Sequence, residues 1–178
     1  RQTVKIIYQS FAAKEPNEFI LCPYLLKEFR NRWFVFGSRA KDLVLYNLPL
    51  DRIISIEPVD VPFRDNPDFD PEHFFDDVIG VSKNIRNTPR RIRFWANEEQ
   101  SKYIKTKPIH SSQKIIRENP EDGSHIFEIN VVINFEMYSV FMSYGPGIKI
   151  IHPRNVVSHM RDKLRATADL YNEENCID

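Results

Sequence analysis

The sequence has few cysteines, few glycines and no long apolar run. Cys22 lies in an apolar stretch and Cys176 close to the end, and two cysteines so placed do not make a disulfide framework. The five glycines form no glycine-rich phosphate loop. No stretch approaches the ~20 apolar residues of a membrane-spanning helix, and no signal-peptide pattern opens the chain. These absences predict a soluble, cytoplasmic protein in a reducing compartment.

The net charge is zero, but the charges are segregated along the chain. Residues 1–57 carry nine basic and six acidic side chains, and residues 81–117 carry ten basic and two acidic ones. Residues 58–80 and 118–178 are acidic. A neutral protein with this distribution can still present a basic patch to an anionic partner. The alternative is that these charges pair with one another on a solvated surface.

Short runs rich in Ile, Val, Phe and Tyr, separated by polar turns, predict five strands in the first 59 residues. The runs 32–37 and 43–50 are apolar at both parities, as in strands covered on two faces, so we expect a small curled barrel rather than a one-sided sheet. Pro49 predicts an edge or a bulge in the fourth strand. The five predicted strands are 3–11, 19–25, 32–37, 43–50 and 53–59.

Residues 60–84 differ in composition from the strands before them, because they are rich in Pro and Asp. Asp70-Pro71 predicts the start of a short helix that ends near Gly80. We expect an ordered linker held in place by the apolar side chains of Phe74, Phe75, Val78 and Ile79.

Residues 85–172 follow a β-α-β-β-α-β pattern, which is the ferredoxin-like plan. Asn97 and Asn134 are predicted to cap its two helices. A last helix, 155–172, is predicted to pack on the domain or to contribute to a dimer, and residues 173–178 form a tail. Its apolar stripe consists of Val156, Met160, Leu164, Thr167 and Tyr171. The predicted strands are 90–96, 114–118, 125–133 and 148–152.

Two segments of the first half read "CPYLLKEFRNRWFVFG" and "LDRIISIE", and two later ones read "DFDPEHFFDDVIGV" and "YIKTKPIHSSQKII". The first two resemble the WYL domain of bacterial transcriptional regulators, and the later two resemble the linker and C-terminal extension that follow it. The Trp-Tyr-Leu triplet that names the domain reads Trp33-Phe34-Val35 here, and Cys22 stands where members often carry His. The resemblance implies an α+β protein, with a five-stranded Sm-like barrel over residues 1–59 and a ferredoxin-like domain with a C-terminal helix over 85–172.

The resemblance also implies partners. Members usually carry an N-terminal winged helix-turn-helix that reads operator DNA, and no such pattern precedes Arg1, so we expect this sequence to belong to a longer protein. Regulators of this type act on paired half-sites, so we expect a homodimer. A nucleic-acid or nucleotide effector is implied as well.

Several arginines lie in and beside the predicted hairpin with few acids nearby. A guanidinium binds phosphate through a planar fork and stacks on bases, and aromatic rings beside it give bases a platform. We therefore predict one face that binds single-stranded nucleic acid or a nucleotide. Its residues are Tyr8, Ser10, Tyr24, Arg30, Arg32, Trp33, Arg39 and Arg52.

The arginines also have a structural alternative as ion-pair partners. Arg52 follows Asp51, and Asp42 or Glu28 is close enough in sequence to pair with Arg39 or Arg30. Trp33 fits a barrel core, so Trp33→Ala is expected to unfold the barrel at a cost of about 3–5 kcal/mol.

The sequence predicts no catalytic residue, no metal site and no cofactor. His110-Ser111-Ser112 has neither a nucleophile elbow nor a placed acid, so a loop histidine is predicted there. His73 and the acids around it, Asp68, Asp70, Asp76 and Asp77, lack the close spacing of metal ligands. Two functions remain as alternatives: the effector-sensing module of a regulator, and a structural dimerisation module without a ligand.

Overall fold

The computed structural model describes residues 1–171, so the predicted tail and Cys176 lie outside the described residues. Two compact units are present. The first comprises Arg1–Phe75 and Gly80–Asn87, and the second comprises Asp76–Ile79 and the chain from Thr88 onward. Each unit is built on one antiparallel sheet, and three α-helices belong to the second unit. The α+β architecture predicted from the sequence is confirmed.

The first unit is an open five-stranded sheet. Its elements are β1 (Val4–Tyr8), β2 (Asn17–Phe29), β3 (Arg32–Arg39), β4 (Leu45–Pro49), a 3-10 turn (Leu50–Arg52) and β5 (Ile53–Pro58). The strand order in the sheet is β4-β3-β2-β1-β5. No strand pairing within residues 1–171 joins β4 to β5, so the sheet is not seen to close into the predicted small barrel. Pro49 and Pro58 end these two short strands and have no N–H to donate to a closing ladder.

Apolar clusters lie on both faces of this sheet, which explains the apolar residues at both parities. Successive strand residues point to opposite faces, so Val35 and Phe36 of β3 enter different clusters. Val35 packs with Ile6, Leu21 and Leu48. Phe36 packs with three residues that follow β5, namely Phe69, Phe74 and Val81.

The short helix predicted after Asp70 is wrong, because residues 71–77 form turns. The Asp70 carbonyl oxygen still accepts a hydrogen bond from the Phe74 N–H at 2.8 Å. The ring centroids of Phe74 and Phe75 lie 6.4 and 4.8 Å from that of Phe36. Consecutive residues of a helix point about 100° apart, so a helix would not bring both rings against one partner. Val78 and Ile79, expected to hold the same segment, belong to the second unit.

The hairpin between β2 and β3 is closed by a two-residue turn. Arg30 and Asn31 both have positive φ angles, 51° and 62°, which matches the right-handed twist of the flanking strands. Gly37 lets β3 approach β2 closely, since a Cβ atom there would lie 2.6 Å from the Cys22 carbonyl oxygen. The turn places Arg30 at the tip of the hairpin and Arg32 directly after it, where β3 begins.

The second unit has the predicted succession of elements. They are β6 (Arg90–Ala96), α1 (Glu98–Thr106), β7 (Lys114–Glu118), β8 (His125–Val131), α2 (Phe135–Met142), β9 (Ile148–His152) and α3 (Arg154–Asp169). The strand order in its sheet is β7-β8-β6-β9. Asn97 and Asn134 cap α1 and α2, accepting hydrogen bonds from the N–H groups of Gln100 and Met137. No helix within residues 1–171 is both long and apolar enough to cross a membrane.

Helix α3 is buried only along its first half. Val156 and Met160 enter the core of the second unit, as their stripe predicts. Leu164 and Tyr171, in the same predicted stripe, are exposed. The second half of α3 therefore leaves apolar side chains uncovered by the described residues.

Candidate ligand-binding surface

A linked group of charged and aromatic side chains surrounds the 3-10 turn of the first unit. We call Phe11, Arg32, Asp51 and Arg52 the Phe11–Arg52 cluster. The Arg52 guanidinium carbon lies 3.9 Å from the centroid of the Phe11 ring. An Arg32 Nη atom lies 3.3 Å from an Asp51 carboxylate oxygen. Asp51 and Arg52 are adjacent in sequence, so contacts and chain connectivity link all four residues.

Phe11 is held outward by the loop between β1 and β2. The Gln9 N–H donates to the Arg52 carbonyl oxygen at 3.2 Å, and the Gln9 side-chain amide donates to the carbonyl oxygens of Ala13 and Lys14. Phe11 is 82% exposed. One face of its ring carries the guanidinium and the other is open to solvent. Sequence reasoning missed Phe11, although a single aromatic residue in a turn of small residues, Ser10 to Ala13, was a usable signal.

The Arg52 guanidinium makes no hydrogen bond within residues 1–171, and its Nε atom is buried without a partner. A buried donor without an acceptor costs roughly 1–3 kcal/mol. Nε itself is closed to a ligand in this arrangement, so a ligand oxygen would bind the Nη groups of the same guanidinium, which are not buried in this way. Arg52 therefore combines two features of a binding residue: an unsatisfied donor and a stacked, exposed aromatic partner.

Tyr8 and Ser10 lie beside this cluster. Tyr8 stands opposite Ile53 in the pairing of β1 with β5 and packs against the Ile6 core. The Ser10 carbonyl oxygen accepts a hydrogen bond from the Ala13 N–H at 3.0 Å. The structure thus brings Tyr8, Ser10, Arg32 and Arg52 of the predicted face into one region.

Trp33 and Arg30 lie in the β2–β3 hairpin. Trp33 pairs with Glu28 and is 52% exposed, so its predicted place in the core is wrong. The physical reason is its position near the end of the hairpin, two residues before the buried Val35. The Arg30 guanidinium lies 5.4 Å from the Phe29 ring, and the Glu28 carboxylate accepts from the Asn31 N–H instead of pairing with Arg30.

Arg39 belongs to a separate group at the other end of β3. Its guanidinium forms a two-pronged ion pair with the Asp42 carboxylate and lies 5.9 Å from the Tyr46 ring. The hydrogen bond from Arg39 lowers the pKa of Asp42, and the same bond raises the pKa of Arg39. Arg39 therefore acts as a structural ion-pair partner, because its Nε and one Nη already donate to Asp42.

Tyr24 faces the segment that follows β5. Its hydroxyl donates to the Arg64 carbonyl oxygen at 2.8 Å, and its ring stacks on Phe69 at a centroid distance of 5.5 Å. Desolvation by burial raises the pKa of Tyr24. The eight predicted residues therefore occupy several places on the first unit instead of one face.

An apolar pocket of about 580 Å³ adjoins the Phe11–Arg52 cluster. Leu50 and Ile53, which flank Asp51 and Arg52, belong to its wall. The remaining wall is formed by residues of β1, β2, β3 and β5, including Val4, Ile6, Leu26, Val35 and Ile56. A ligand at the cluster thus meets charge on one side and apolar surface on the other.

The residues considered for catalysis and for metal binding have local roles. His110 Nδ1 lies 2.8 Å from Ser112 Oγ, which accepts a hydrogen bond from the Asn130 N–H. Burial lowers the pKa of His110. Residues 1–171 contain no group of three or more His, Cys, Asp or Glu side chains placed to hold a metal ion.

Comparison with known domain families gives two matches, one within each unit. The WYL domain model matches residues 1–58, and the WCX domain model matches residues 88–168. This chain is a WYL-domain protein. Its WYL domain contains the Phe11–Arg52 cluster, and its WCX domain contains the second sheet with α1, α2 and α3. No curated protein sequence matches the chain.

Solved structures of the same kind are distant in sequence. A CRISPR Cas-related protein is 12% identical with a TM-score of 0.55; the match covers 98% of this chain and 49% of that one. Proteasome accessory factor B/C (PafBC) of Arthrobacter aurescens is 14% identical with a TM-score of 0.40, over 97% of this chain and 25% of that one. The chain thus spans half or less of the length of these two proteins.

Proposed function

We propose that the chain is the effector-sensing module of a transcriptional regulator, and that its WYL domain binds single-stranded nucleic acid or a nucleotide-like ligand. The observation that carries this proposal is the Phe11–Arg52 cluster. It offers an exposed aromatic face for a base and, directly beside it, a guanidinium without a hydrogen-bond acceptor. Stacking on an aromatic ring contributes about 1–3 kcal/mol per base and tolerates any base.

The other arginines of the proposed site add phosphate contacts. Arg32 is exposed and its ion pair with Asp51 is on the surface, where such a pair contributes little, about 0–1 kcal/mol. A phosphate can therefore bind Arg32 in place of Asp51, or together with it, at a small cost in free energy. Arg30 at the hairpin tip and the exposed Trp33 ring extend the surface for a longer strand. Arg39 is left out of the proposed site because its guanidinium is already paired with the Asp42 carboxylate.

The fold fits a regulator that changes the arrangement of its domains. We infer that the five-stranded sheet is an Sm-like unit, opened between β4 and β5, and that the β7-β8-β6-β9 order is the ferredoxin-like arrangement. We propose that ligand binding favours one arrangement of two protomers, and that DNA-binding domains elsewhere in the full-length protein respond to it. In this account the chain has no catalytic role.

Titration of labelled oligonucleotides into the purified chain tests the proposal. We expect a single strand to bind more tightly than the duplex of the same sequence, because paired and stacked bases cannot lie on Phe11. Equal affinity for the two forms would exclude the stacking role. The absence of binding to any strand or nucleotide would favour the alternative, a ligand-free dimerisation module, for which the exposed Leu170 and Tyr171 of the α3 end are the supporting observation.

A further inference from the structure

We propose that the WCX domain binds a second kind of ligand, an amphiphilic organic anion, in a groove beside α3. The groove has a volume of about 460 Å³ and is walled by α3, β9 and the end of α2. It lies wholly within the second unit and shares no residue with the Phe11–Arg52 cluster. The proposal is therefore independent of the function proposed for the WYL domain.

The helical wall of the groove is one continuous face of α3. Its residues recur at helical spacing, three or four positions apart, from Val157 through Met160 and Leu164 to Ala168. Val157 and Ala168 are eleven positions apart, which is about 17 Å along the helix at 1.5 Å per residue. The opposite wall is formed by Phe141, Ile148 and Ile150. The groove thus has apolar side chains on two walls, which suits an alkyl chain or a flat ring system.

The charged residues of the groove are all basic. Lys149, Arg161 and Arg165 belong to its wall, and no Asp or Glu does. Arg161 and Arg165 are four residues apart on one helix face, so their side chains are neighbours. Arg161 donates a hydrogen bond to Ser158 Oγ at 3.0 Å and lies 3.6 Å from an Asp162 carboxylate oxygen, whereas neither Lys149 nor Arg165 has an ion-pair partner within residues 1–171. An anionic head group would complement this rim.

The same charges disfavour other occupants. A second copy of the chain placed symmetrically in the groove would bring two sets of three cations together, because a two-fold interface presents the same patch twice. A cationic amphiphile would meet the rim with like charge. A small inorganic anion would contact only the three basic side chains, because the apolar side chains of the groove offer it no hydrogen bond. An amphiphile with a carboxylate, sulfonate or phosphate head satisfies both the floor and the rim.

Calorimetric titration of the whole chain with sodium dodecanoate, kept below the concentration at which it forms micelles, tests the proposal. We expect saturable binding of one molecule per chain, no comparable binding of dodecylammonium, and no saturable binding of acetate. Equal binding of the anionic and cationic amphiphiles would overturn the role of the basic rim. The absence of saturable dodecanoate binding would overturn the proposal as a whole.

Two pairs of variants locate the site. Arg165→Glu is expected to weaken dodecanoate binding by tenfold or more, whereas Arg154→Glu, an exposed arginine of α3 outside the groove, should leave it unchanged. Leu164→Gln should weaken binding several-fold, and Leu170→Gln, which alters an exposed leucine outside the groove, should not. All four residues are exposed, so the fold should be retained. Equal effects within either pair, or a dimer that Leu164→Gln dissociates in light scattering, would assign the groove to something else.

Discussion

Replacing Phe11 with Ala separates ligand binding from stability. The ring is 82% exposed and stacks on the Arg52 guanidinium, whose carbon lies 3.9 Å from the ring centroid. An exposed cation–π pair contributes about 0.5–1 kcal/mol. For a domain of this size, a change of that order shifts the melting temperature by a few degrees, roughly 4–8 °C per kcal/mol. The effect of Phe11→Ala on folding should therefore be small.

The effect on ligand affinity should be large. Removing one aromatic platform costs about 1–3 kcal/mol per stacked base, which weakens binding roughly five- to 150-fold. Fluorescence anisotropy with a labelled single strand measures the affinity, and thermal melting of the same samples measures the stability. Phe11→Tyr keeps the ring and should restore most of the affinity.

Tyr171→Ala is the matched control, because Tyr171 is 83% exposed and lies outside the WYL domain. It should change neither affinity nor melting temperature. If Phe11→Ala binds the strand as the parent chain does, the stacking role is refuted. If Phe11→Tyr and Phe11→Ala bind the strand equally weakly, the aromatic face is not what the ligand contacts.

Other predictions concern the same domain. Trp33→Ala should weaken binding of a long strand without unfolding the domain, since the ring is half exposed, whereas Phe36→Ala should remove about 3–5 kcal/mol of stability because that ring is fully buried; chemical denaturation compares the two. Arg39→Ala should leave ligand affinity unchanged. The lowered pKa of Asp42 means that the ion pair stabilises the folded state above the ordinary carboxylate pKa and that this contribution disappears as the pH falls through the lowered value. Denaturation from pH 7 to pH 2 should show a larger decrease in the parent chain than in Asp42→Asn, because other carboxylates such as Glu98 and Asp122 titrate in both; identical pH profiles would exclude the pair as a source of stability.

Local patterns in the sequence were sufficient for most of the fold. Alternation and turn residues located every strand, and the two Asn caps located the starts of α1 and α2. Closure of the first sheet was not predictable in this way, because it depends on whether β4 and β5 meet across the molecule. The helix expected after Asp70 also failed, since its capping signal is local while the packing of Phe74 and Phe75 on Phe36 is not.

The candidate site was harder to predict from local sequence patterns than the fold was. The sequence identifies arginines and aromatic residues as suitable chemistry, but it does not say which of them already have partners. The Arg39 guanidinium is hydrogen-bonded to Asp42, whereas the Arg52 guanidinium has no hydrogen-bond acceptor within the described residues. Both arginines nevertheless lie within three positions of an acid. Trp33 was expected in the core because aromatic residues in strands are usually buried. Its exposure and the placement of Phe11 depend on where the hairpin and the β1–β2 loop end in space.

The central claim is that the Phe11–Arg52 cluster binds a strand through its bases and phosphates. Its most direct test is the salt dependence of single-strand affinity for the parent chain and for Arg32→Ala and Arg52→Ala. With three or four phosphates bound, the plot of log K against log salt should have a slope of roughly −2 to −3, and each variant should lower its magnitude by about 0.7 for each phosphate that is no longer neutralised. A parent affinity that does not depend on salt, or variants with the parent slope and affinity, would contradict the assignment of this cluster as the ligand site.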